Sequence, residues 1–297
     1  MDEHAVPTGS FPSFTPTWHR TSYPSISPTS NPALSATSKT ILITGGGTGA
    51  GLAMARSFAL AGAAHIGLLG RRIPILSAAA AALSAEFPGT TFHTYGADIS
   101  SESAVDAAFA AFENAAGKID VCIQNAGFQP ALAPLSSISP VDFRKGIEIN
   151  VMGSLYLIRA FLRAAAAAEA VLLYVSSGIM HLPTMSGWAG YAVAKEAATK
   201  LFMHVAAENP AVRVHAINPG LLETDMSALN IPKGSGVVFD DRSLAGDFAV
   251  WISSPQAKFL NGTFVWSNWD VEEMKARAEE IGKGYLLRMG LVGWDKI

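Results

Sequence analysis

The chain has 297 residues, of which 49% are hydrophobic and 15% charged, and its formal net charge is −3. This length allows one large α/β domain with a full core. The slightly acidic balance, without a Lys/Arg stripe, argues against a nucleic-acid partner. Charged residues interrupt every long apolar stretch, so no membrane span is predicted. The single cysteine, Cys122, excludes an intramolecular disulfide framework and favours a reducing compartment, so we expect a cytoplasmic protein.

Residues 1–38 are rich in Ser, Thr and Pro and have no apolar periodicity. Trp18, Tyr23 and two phenylalanines make this segment too aromatic for a purely solvated tail. We therefore predict an N-terminal arm, partly extended, that docks on the body of the protein or on a neighbouring subunit.

A short strand, a glycine-rich turn and a helix follow in the stretch Lys39–Leu60, KTILITGGGTGAGLAMARSFAL. Glycines let the backbone bend sharply and approach a phosphate without a Cβ in the way. The N–H groups and the dipole at the start of the helix favour the negative charge of a pyrophosphate. This order of elements predicts a dinucleotide-binding turn, and the alternative is a flexible Gly-rich linker without a ligand.

Strands and helices alternate beyond this turn. Apolar runs typical of strands begin at Thr40, His65, Thr91, Ile119, Val171, Val212 and Gly262. Repeated β-α-β units predict a parallel, doubly wound sheet in one domain over residues 39–270. Such sheets bind ligands beyond the carboxyl ends of their strands, where most polar clusters of this sequence fall.

Tyr191 and Lys195 are one helical turn apart, on the same face of the predicted helix Ala189–Glu208. A Tyr–Lys pair at this spacing also occurs on solvated helix edges. Here the pair follows a strand that ends in Ser176 and Ser177. Because a nearby ammonium favours the phenolate, Tyr191 is suited to exchange the proton that accompanies a hydride transfer.

Together these motifs resemble the short-chain dehydrogenase/reductase family over residues 39 to about 270. The matching segments, in the family's order, are Thr44-Gly45…Gly49…Gly51, Asn125-Ala126-Gly127, Asn150, Ser177, Tyr191…Lys195 and Pro219-Gly220. Gln124 stands where a second asparagine is commoner in the family. The resemblance implies a single Rossmann-type domain, with a seven-stranded parallel sheet of order 3-2-1-4-5-6-7 and helices on both faces. It also implies a homodimer or homotetramer.

The resemblance implies roles for individual residues. Tyr191 would be the general acid/base, and Ser177 would hydrogen-bond the substrate oxygen. Lys195 would bind the ribose hydroxyls and tune Tyr191, while Asn150 would hold a water that relays protons to Lys195. The residues implied to bind the cofactor are Thr44, Gly45, Gly47, Thr48, Gly49, Gly51, Asp98, Ile99, Asn125, Ala126, Gly127, Tyr191, Lys195, Pro219, Gly220, Leu222 and Thr224.

The spacing leaves two candidates for the reacting serine. Ser177 precedes Tyr191 by 14 positions, one more than the commonest family spacing. Either the intervening loop carries an insertion, or Ser176 is the reacting serine. We favour Ser177, because the glycines of the loop 178–190 can absorb one extra residue.

The choice of cofactor depends on the end of the second strand. An acidic side chain there would accept the adenosine hydroxyls and repel a 2′-phosphate, but this chain has Gly70 followed by Arg71 and Arg72. A guanidinium can clamp a phosphate with paired hydrogen bonds. We therefore predict NADP(H), with Arg71 as the main contact; the alternative is a solvated arginine and NAD(H).

Candidate substrate-pocket residues follow the N-A-G motif and the serine pair. They are Phe128, Ile179, His181 and Trp188. Their mostly apolar character predicts an apolar ketone, aldehyde or alcohol as substrate. His181 could reach the substrate, but a lone histidine among apolar residues is more often a hydrogen-bonded structural residue. No His, Cys or carboxylate cluster has metal-ligand spacing, so no metal is expected.

The segment 271–297 predicts a charged helix, Val271–Ile281, followed by an apolar tail that packs on the body or on a partner. The arm and Asn268-Trp269-Asp270 resemble fungal members of the family, many of which act in secondary metabolism. The leading hypothesis is an NADP-dependent carbonyl reductase or alcohol dehydrogenase. The alternatives are a non-catalytic dinucleotide-binding redox sensor and an enzyme of this fold that catalyses dehydration or cyclisation.

Overall fold

The computed structural model describes residues 11, 13–166, 169–231 and 236–290. Seven strands form one sheet of order β3-β2-β1-β4-β5-β6-β7, and every neighbouring pair is parallel, which confirms the predicted fold. The strands are β1 Thr40–Thr44, β2 His65–Gly70, β3 Thr91–Gly96, β4 Val121–Gln124, β5 Ala170–Val175, β6 Val212–Asn218 and β7 Thr263–Trp266.

Helices cover the sheet. They are α1 Gly49–Leu60, α2 Ile73–Glu86, α3 Glu102–Ala116, α4 Pro140–Ile147, α5 Gly153–Ala164, α6 Ala189–Glu208, α7 Arg242–Ser253, α8 Val271–Ala276 and α9 Ala278–Lys283. One group consists of α1 packed on α7, and another of α3, α5 and α6. Because helices cover both faces, β1 and β5 are buried along their whole length. None of these helices has both the length and the apolar character that a membrane span requires.

The helical segment that begins at Pro140 is interrupted. A π-helical turn, Glu148–Met152, separates α4 from α5 and carries the buried Asn150. The Asn150 side chain accepts a hydrogen bond from Phe128 N at 2.9 Å and donates one to Phe128 O at 2.7 Å. The π-turn therefore aims a side chain of this helix at the loop that follows β4.

Helix α7 is absent from the sequence-based prediction. Gly246 in the middle of α7 has a low helix propensity. Tertiary packing nevertheless requires a glycine at this position. A Cβ on Gly246 would lie 2.7 Å from Ala53 O and 2.4 Å from Ser57 Oγ, both in α1. The close approach of α1 and α7 thus explains a residue that local sequence rules count against a helix.

The predicted single helix Val271–Ile281 is wrong, because the helix breaks at Arg277 between α8 and α9. The Arg277 guanidinium lies 3.7 Å from the centre of the Phe14 ring and donates to Phe14 O at 3.2 Å. The break therefore coincides with a contact to the N-terminal arm. Of the predicted apolar tail, Leu291, Val292 and Trp294 lie outside the described residues.

The described part of the arm lies on the body of the same chain. Trp18 forms an isolated antiparallel bridge with Trp269 and is 2% exposed. Ile26 and Leu34 are also buried in the core. The arm is therefore ordered by hydrophobic burial, although residues 11–38 contain no strand or helix longer than a single turn in the part that the structure describes.

We predict that folding stability falls below about pH 6.5 partly through His215. This residue is buried in β6, its Nδ1 donates to Leu260 O at 2.9 Å, and its Nε2 has no partner. Burial, helped by the charge of Arg213, lowers the pKa of His215 to about 3. Since the unfolded chain binds the proton more readily, stability is fully present above about pH 6.5 and is lost as the pH falls.

The matched variant is His215→Asn, which keeps a donor for Leu260 O and does not titrate. Urea unfolding at pH 7.5 and 5.5 should show that the advantage of the wild type over the variant shrinks by about 1.4 kcal/mol at the lower pH. A difference that is the same at both values would contradict the assignment.

Candidate active site

The carboxyl ends of the strands open into a cleft of about 490 Å³. Its walls come from the turn after β1, the ends of β2 and β3, the loop after β4, the end of β5, the start of α6 and the segment after β6. Parallel strands bring these separate segments to one edge of the sheet, as the sequence predicts.

The glycine turn after β1 forms one end of the cleft. Gly45 and Gly49 have positive φ angles of 65° and 55°, which favour glycine. A Cβ on Gly51 would lie 2.3 Å from Gly45 O, so Gly51 lets α1 start directly on the turn. Thr48, at the N-cap of α1, makes no side-chain capping bond. The helix therefore presents its positive end to the cleft without a capping side chain.

Thr44 and Asn125 join the glycine turn to the loop after β4. The Thr44 hydroxyl accepts hydrogen bonds from Asn125 N and Ala126 N, both at 3.0 Å. The Asn125 amide donates to Thr44 O at 3.0 Å and to Gly45 O at 3.3 Å. Thr44 is fully buried and, like Gly51, is not among the residues that line the cleft. Both residues shape the cleft from behind.

Two arginines stand where β2 ends. Arg71 and Arg72 line the cleft beside Asp98 and Ile99, which follow β3. The Arg71 guanidinium lies 3.9 Å from the Asp98 carboxylate, and both side chains are exposed. Partial burial raises the pKa of Asp98, but hydrogen bonds from Ser100 and the charge of Arg71 lower this pKa by more than burial raises it. The pKa of Asp98 therefore lies below its usual value. This rim thus carries two guanidinium groups and one ionised carboxylate.

Lys195 is a buried cation at the opposite end of the cleft. Its Nζ donates to Val175 O at 2.8 Å and lies 4.9 Å from the centre of the Tyr174 ring and 5.7 Å from that of Tyr191. Burial lowers the pKa of Lys195 to about 7. Its protonation state is therefore sensitive to small changes near neutral pH.

Tyr191 is 8% exposed, and its hydroxyl lies 3.8 Å from Met226 Sδ. Burial raises the pKa of Tyr191, and a hydrogen bond with Ser177 opposes that rise. Burial outweighs this hydrogen bond, so Tyr191 is a neutral phenol at physiological pH. In this state it is a proton donor.

The two serines at the end of β5 have different surroundings. Ser176 is 3% exposed, and its Oγ lies 2.7 Å from Thr199 Oγ1. Ser177 accepts a hydrogen bond from Ile179 N at 3.4 Å, and its side chain lies close enough to Tyr191 to lower the pKa of that phenol. Ser177 is therefore the serine that the fold brings to the tyrosine.

Comparison with known proteins identifies the family. The family model described as short chain dehydrogenase matches residues 39–233. The chain belongs to the short-chain dehydrogenase/reductase family.

Relatives in fungi match almost the whole chain. Short chain dehydrogenase/reductase AacuD of Aspergillus aculeatus is 33% identical over 282 residues, which cover 94% of this chain and 96% of that protein. A short chain dehydrogenase/reductase of Claviceps purpurea is 33% identical over 290 residues, with coverages of 95% and 96%.

Solved structures share the fold. A putative short chain dehydrogenase from Pseudomonas syringae is 25% identical, with a TM-score of 0.74 over 80% of this chain and 97% of that one. An alcohol dehydrogenase from Thermococcus sibiricus, solved in complex with 5-hydroxy-NADP, is 26% identical, with a TM-score of 0.67 over 72% and 89%.

Two of the four predicted substrate residues of this short-chain dehydrogenase line the cleft. Phe128 and Trp188 do, whereas Ile179 and His181 do not. A single 3-10 turn, Gly178–Met180, redirects the chain after Ser177. His181 Nε2 then accepts a hydrogen bond from Trp266 Nε1 at 2.8 Å. His181 is thus the hydrogen-bonded structural residue that the sequence left as an alternative.

Gln129 is one of several lining residues that the sequence-based site lacks. Gln129 lines the cleft, is 8% exposed, and its Nε2 is buried without a hydrogen-bond partner. Its backbone is fixed on both sides, because Asn150 holds Phe128 and because Pro130 lies against Gly190. The available signal was its position, two residues beyond the N-A-G motif.

The described residues contain no group of three or more His, Cys, Asp or Glu side chains that is arranged to hold a metal ion.

Proposed function

We propose that this short-chain dehydrogenase is an NADP(H)-dependent carbonyl reductase or alcohol dehydrogenase that acts on an apolar ketone or aldehyde, or on the corresponding alcohol. The observation that carries the proposal is the pairing of Ser177 with the neutral phenol of Tyr191 and the buried ammonium of Lys195, in one cleft with the glycine turn. A proton donor at the far end of a dinucleotide cleft is the arrangement that reduction of a carbonyl requires.

A dinucleotide suits the residues that are present. Gly45 and Gly49 leave the turn without side chains where a pyrophosphate would approach, and α1 offers its uncapped N-terminus. Arg71 and Arg72 at the rim supply donors for an adenosine 2′-phosphate. Pro219, Gly220, Leu222 and Thr224, which line the wall after β6, would hold the nicotinamide end.

Ser177, Tyr191 and Lys195 would each have a separate role in the proton transfer. NADPH, when bound, supplies the hydride for the carbonyl carbon. Ser177 would orient the carbonyl oxygen, and Tyr191 would donate the proton to that oxygen. Lys195, held by Val175 O, would bind the ribose hydroxyls and stabilise the phenolate that remains. In the direction of alcohol oxidation the same phenolate would accept the proton.

Asn150 and Lys195 flank Gly127. Asn150 Oδ1 and Lys195 Nζ lie 3.0 and 3.4 Å from the point that a Cβ on Gly127 would occupy. The missing side chain leaves room between an acceptor and a donor. We propose that a water shared by these two groups returns the proton to Tyr191 through Lys195.

The substrate end of the cleft is lined largely by apolar side chains, among which Gln129 and a few residues of the segment after β6 are polar. Phe128, Trp188, Met226 and Ile231 line it together with Gln129. An amide N–H that is buried without a partner is costly, so a ligand oxygen at this place would be favoured. The proposed substrate is therefore a neutral, largely apolar carbonyl compound with a second oxygen that accepts a hydrogen bond from Gln129.

We also propose a homodimer or homotetramer in the cytoplasm. Val141 of α4, Val193 of α6 and Met152 of the π-turn are exposed apolar side chains on the helices that carry Asn150 and Tyr191. The only cysteine, Cys122, is buried, and burial raises its thiol pKa, so the fold needs no oxidising compartment.

Removal of the proton donor should separate catalysis from binding. We expect Tyr191→Phe to lower kcat by about 10²- to 10⁴-fold while NADPH affinity, measured by fluorescence titration, stays within about twofold. We expect Ser177→Ala to lower activity by about 10²-fold, and the matched Ser176→Ala to leave it nearly unchanged because Ser176 Oγ faces Thr199. If Ser176→Ala were the inactive serine variant, Ser176 would be the reacting serine. An active Tyr191→Phe would contradict the mechanism.

Reversing the charge at the rim should change cofactor preference. We expect Arg71→Glu to weaken NADPH binding by at least about tenfold, because a carboxylate repels the 2′-phosphate, and to alter NADH binding much less. Arg72→Glu serves as the matched control and should have the smaller effect. Fluorescence titration with both cofactors checks this. Tighter binding of NADH than of NADPH by the wild type would instead support the NAD(H) alternative.

Loss of the Gln129 amide should affect only substrates with a second oxygen. We expect Gln129→Leu to lower kcat/KM for hydroxytetralones by about tenfold relative to tetralone itself, because the amide hydrogen bond is lost with only a small change in volume. Gln129→Glu should lower it as well, since a carboxylate cannot donate. An equal effect of Gln129→Leu on both ketones would show that the amide is structural.

A further inference from the structure

Asp240 is hydrogen-bonded to Leu221, the residue at which one wall of the cleft begins. Leu221 N donates to Asp240 Oδ2 at 2.8 Å, and Asp240 N donates back to Leu221 O at 2.8 Å. Leu221 and Leu222 line the cleft, as do Thr224 and Met226 beyond them. The position of the Asp240 side chain therefore determines where this wall begins.

The N-terminal arm reaches the same carboxylate. Arg20 Nη1 donates to Asp240 Oδ1 and to Val238 O, both at 3.2 Å. Asp241 N donates to Arg20 O at 2.7 Å. The Arg20 side chain is 30% exposed, whereas that of Asp240 is 2% exposed. Arg20 is thus the charged partner of a buried carboxylate, and it is not itself a lining residue of the cleft.

Asp240 needs its partners. Burial raises the pKa of Asp240, while hydrogen bonds from Asn268 and Leu221 and the charge of Arg20 oppose the rise. Removing one partner of a buried ion pair leaves a charge without compensation, which is more costly than the loss of a surface pair. The cleft wall that starts at Leu221 is therefore stabilised by the ion pair between Asp240 and Arg20 of the arm.

The arm holds Arg20 in a fixed place. His19 N donates to Asn268 O at 2.8 Å, and the Asn268 side chain donates to His19 O at 2.8 Å and to Asp240 Oδ2 at 3.0 Å. Trp18 next to it is buried. All these residues lie outside the segment 39–233 that matches the family model. The contact thus joins parts of this chain that lie beyond that match.

We propose that Arg20 is a positioning residue: through its pair with Asp240, the arm fixes the cleft wall that starts at Leu221. It touches neither substrate nor cofactor. Its loss should loosen residues 221–226 and weaken binding at the site, while the sheet stays intact.

Hydrogen exchange followed by mass spectrometry tests this on the full chain without any assay of activity. We expect Arg20→Met to speed exchange of the amides in 221–226 about tenfold and to leave β1, β4 and β5 unchanged, since only the local hydrogen bonds at Asp240 are weakened. The matched control is Arg56→Met, which removes an exposed arginine of α1 paired with Glu86. It should leave 221–226 unchanged.

Two further results show whether the lost ion pair causes the faster exchange. Asp240→Asn in the Arg20→Met background should slow exchange again, because it removes the unpaired buried charge. Absence of this rescue would assign the effect to lost packing and overturn the ion-pair argument. Unchanged exchange in Arg20→Met, or exchange that rises equally in the sheet, would also overturn it.

A kinetic measurement extends the test and rests on the proposed reductase activity. For Arg20→Met we expect the KM values for NADPH and tetralone to rise several-fold, because the segment 221–226 carries proposed contacts to both. We expect kcat to change less than about twofold, because Ser177, Tyr191 and Lys195 stay in place. A fall in kcat at unchanged KM would contradict a positioning role. A protein that shows the exchange effect but no reductase activity would refute the proposed function and leave the role of Arg20 standing.

Discussion

The active-site geometry depends on the junction between the ends of β1 and β4. There the Thr44 hydroxyl and the Asn125 amide link the glycine turn to the N-A-G loop through four hydrogen bonds. The junction lies where the strand order reverses, which is the point at which an open α/β sheet forms its crevice. Without these bonds two glycine-containing loops would have no fixed separation, and a ligand that spans both would lose its preformed cradle.

A second constraint links the two ends of the cleft. Asn150 holds the backbone of Phe128 from the π-turn, and the next residue, Gln129, is thereby presented to the cleft. The same N-A-G loop passes Lys195, whose ammonium is buried against Val175 O. The glycine turn, the N-A-G loop and Lys195 therefore form one connected structure, which is held by hydrogen bonds between side chains and backbone.

Local patterns in the sequence predicted most of this framework. Apolar runs located the seven strands, and short motifs located the glycine turn, Asn150, Ser177, Tyr191 and Lys195. Tertiary contacts explain the differences. Helix α7 contains Gly246 because α1 approaches it closely, and the charged helix breaks at Arg277, where the arm packs. The 3-10 turn after Ser177 directs His181 away from the cleft, where it accepts a hydrogen bond from Trp266. The buried amide of Gln129 has no sequence signature apart from its position.

Transfer of deuterium from the cofactor is the most direct test of the proposed hydride transfer. The protein is incubated with tetralone and with NADPH that carries two deuterium atoms at C4 of the nicotinamide ring, and the product is analysed by mass spectrometry. Hydride transfer with Tyr191 as the proton donor predicts an alcohol with one deuterium on the carbinol carbon from the wild type and almost none from Tyr191→Phe. A product without deuterium, or formed without consumption of NADPH, would contradict hydride transfer and favour dehydration or cyclisation on the same fold.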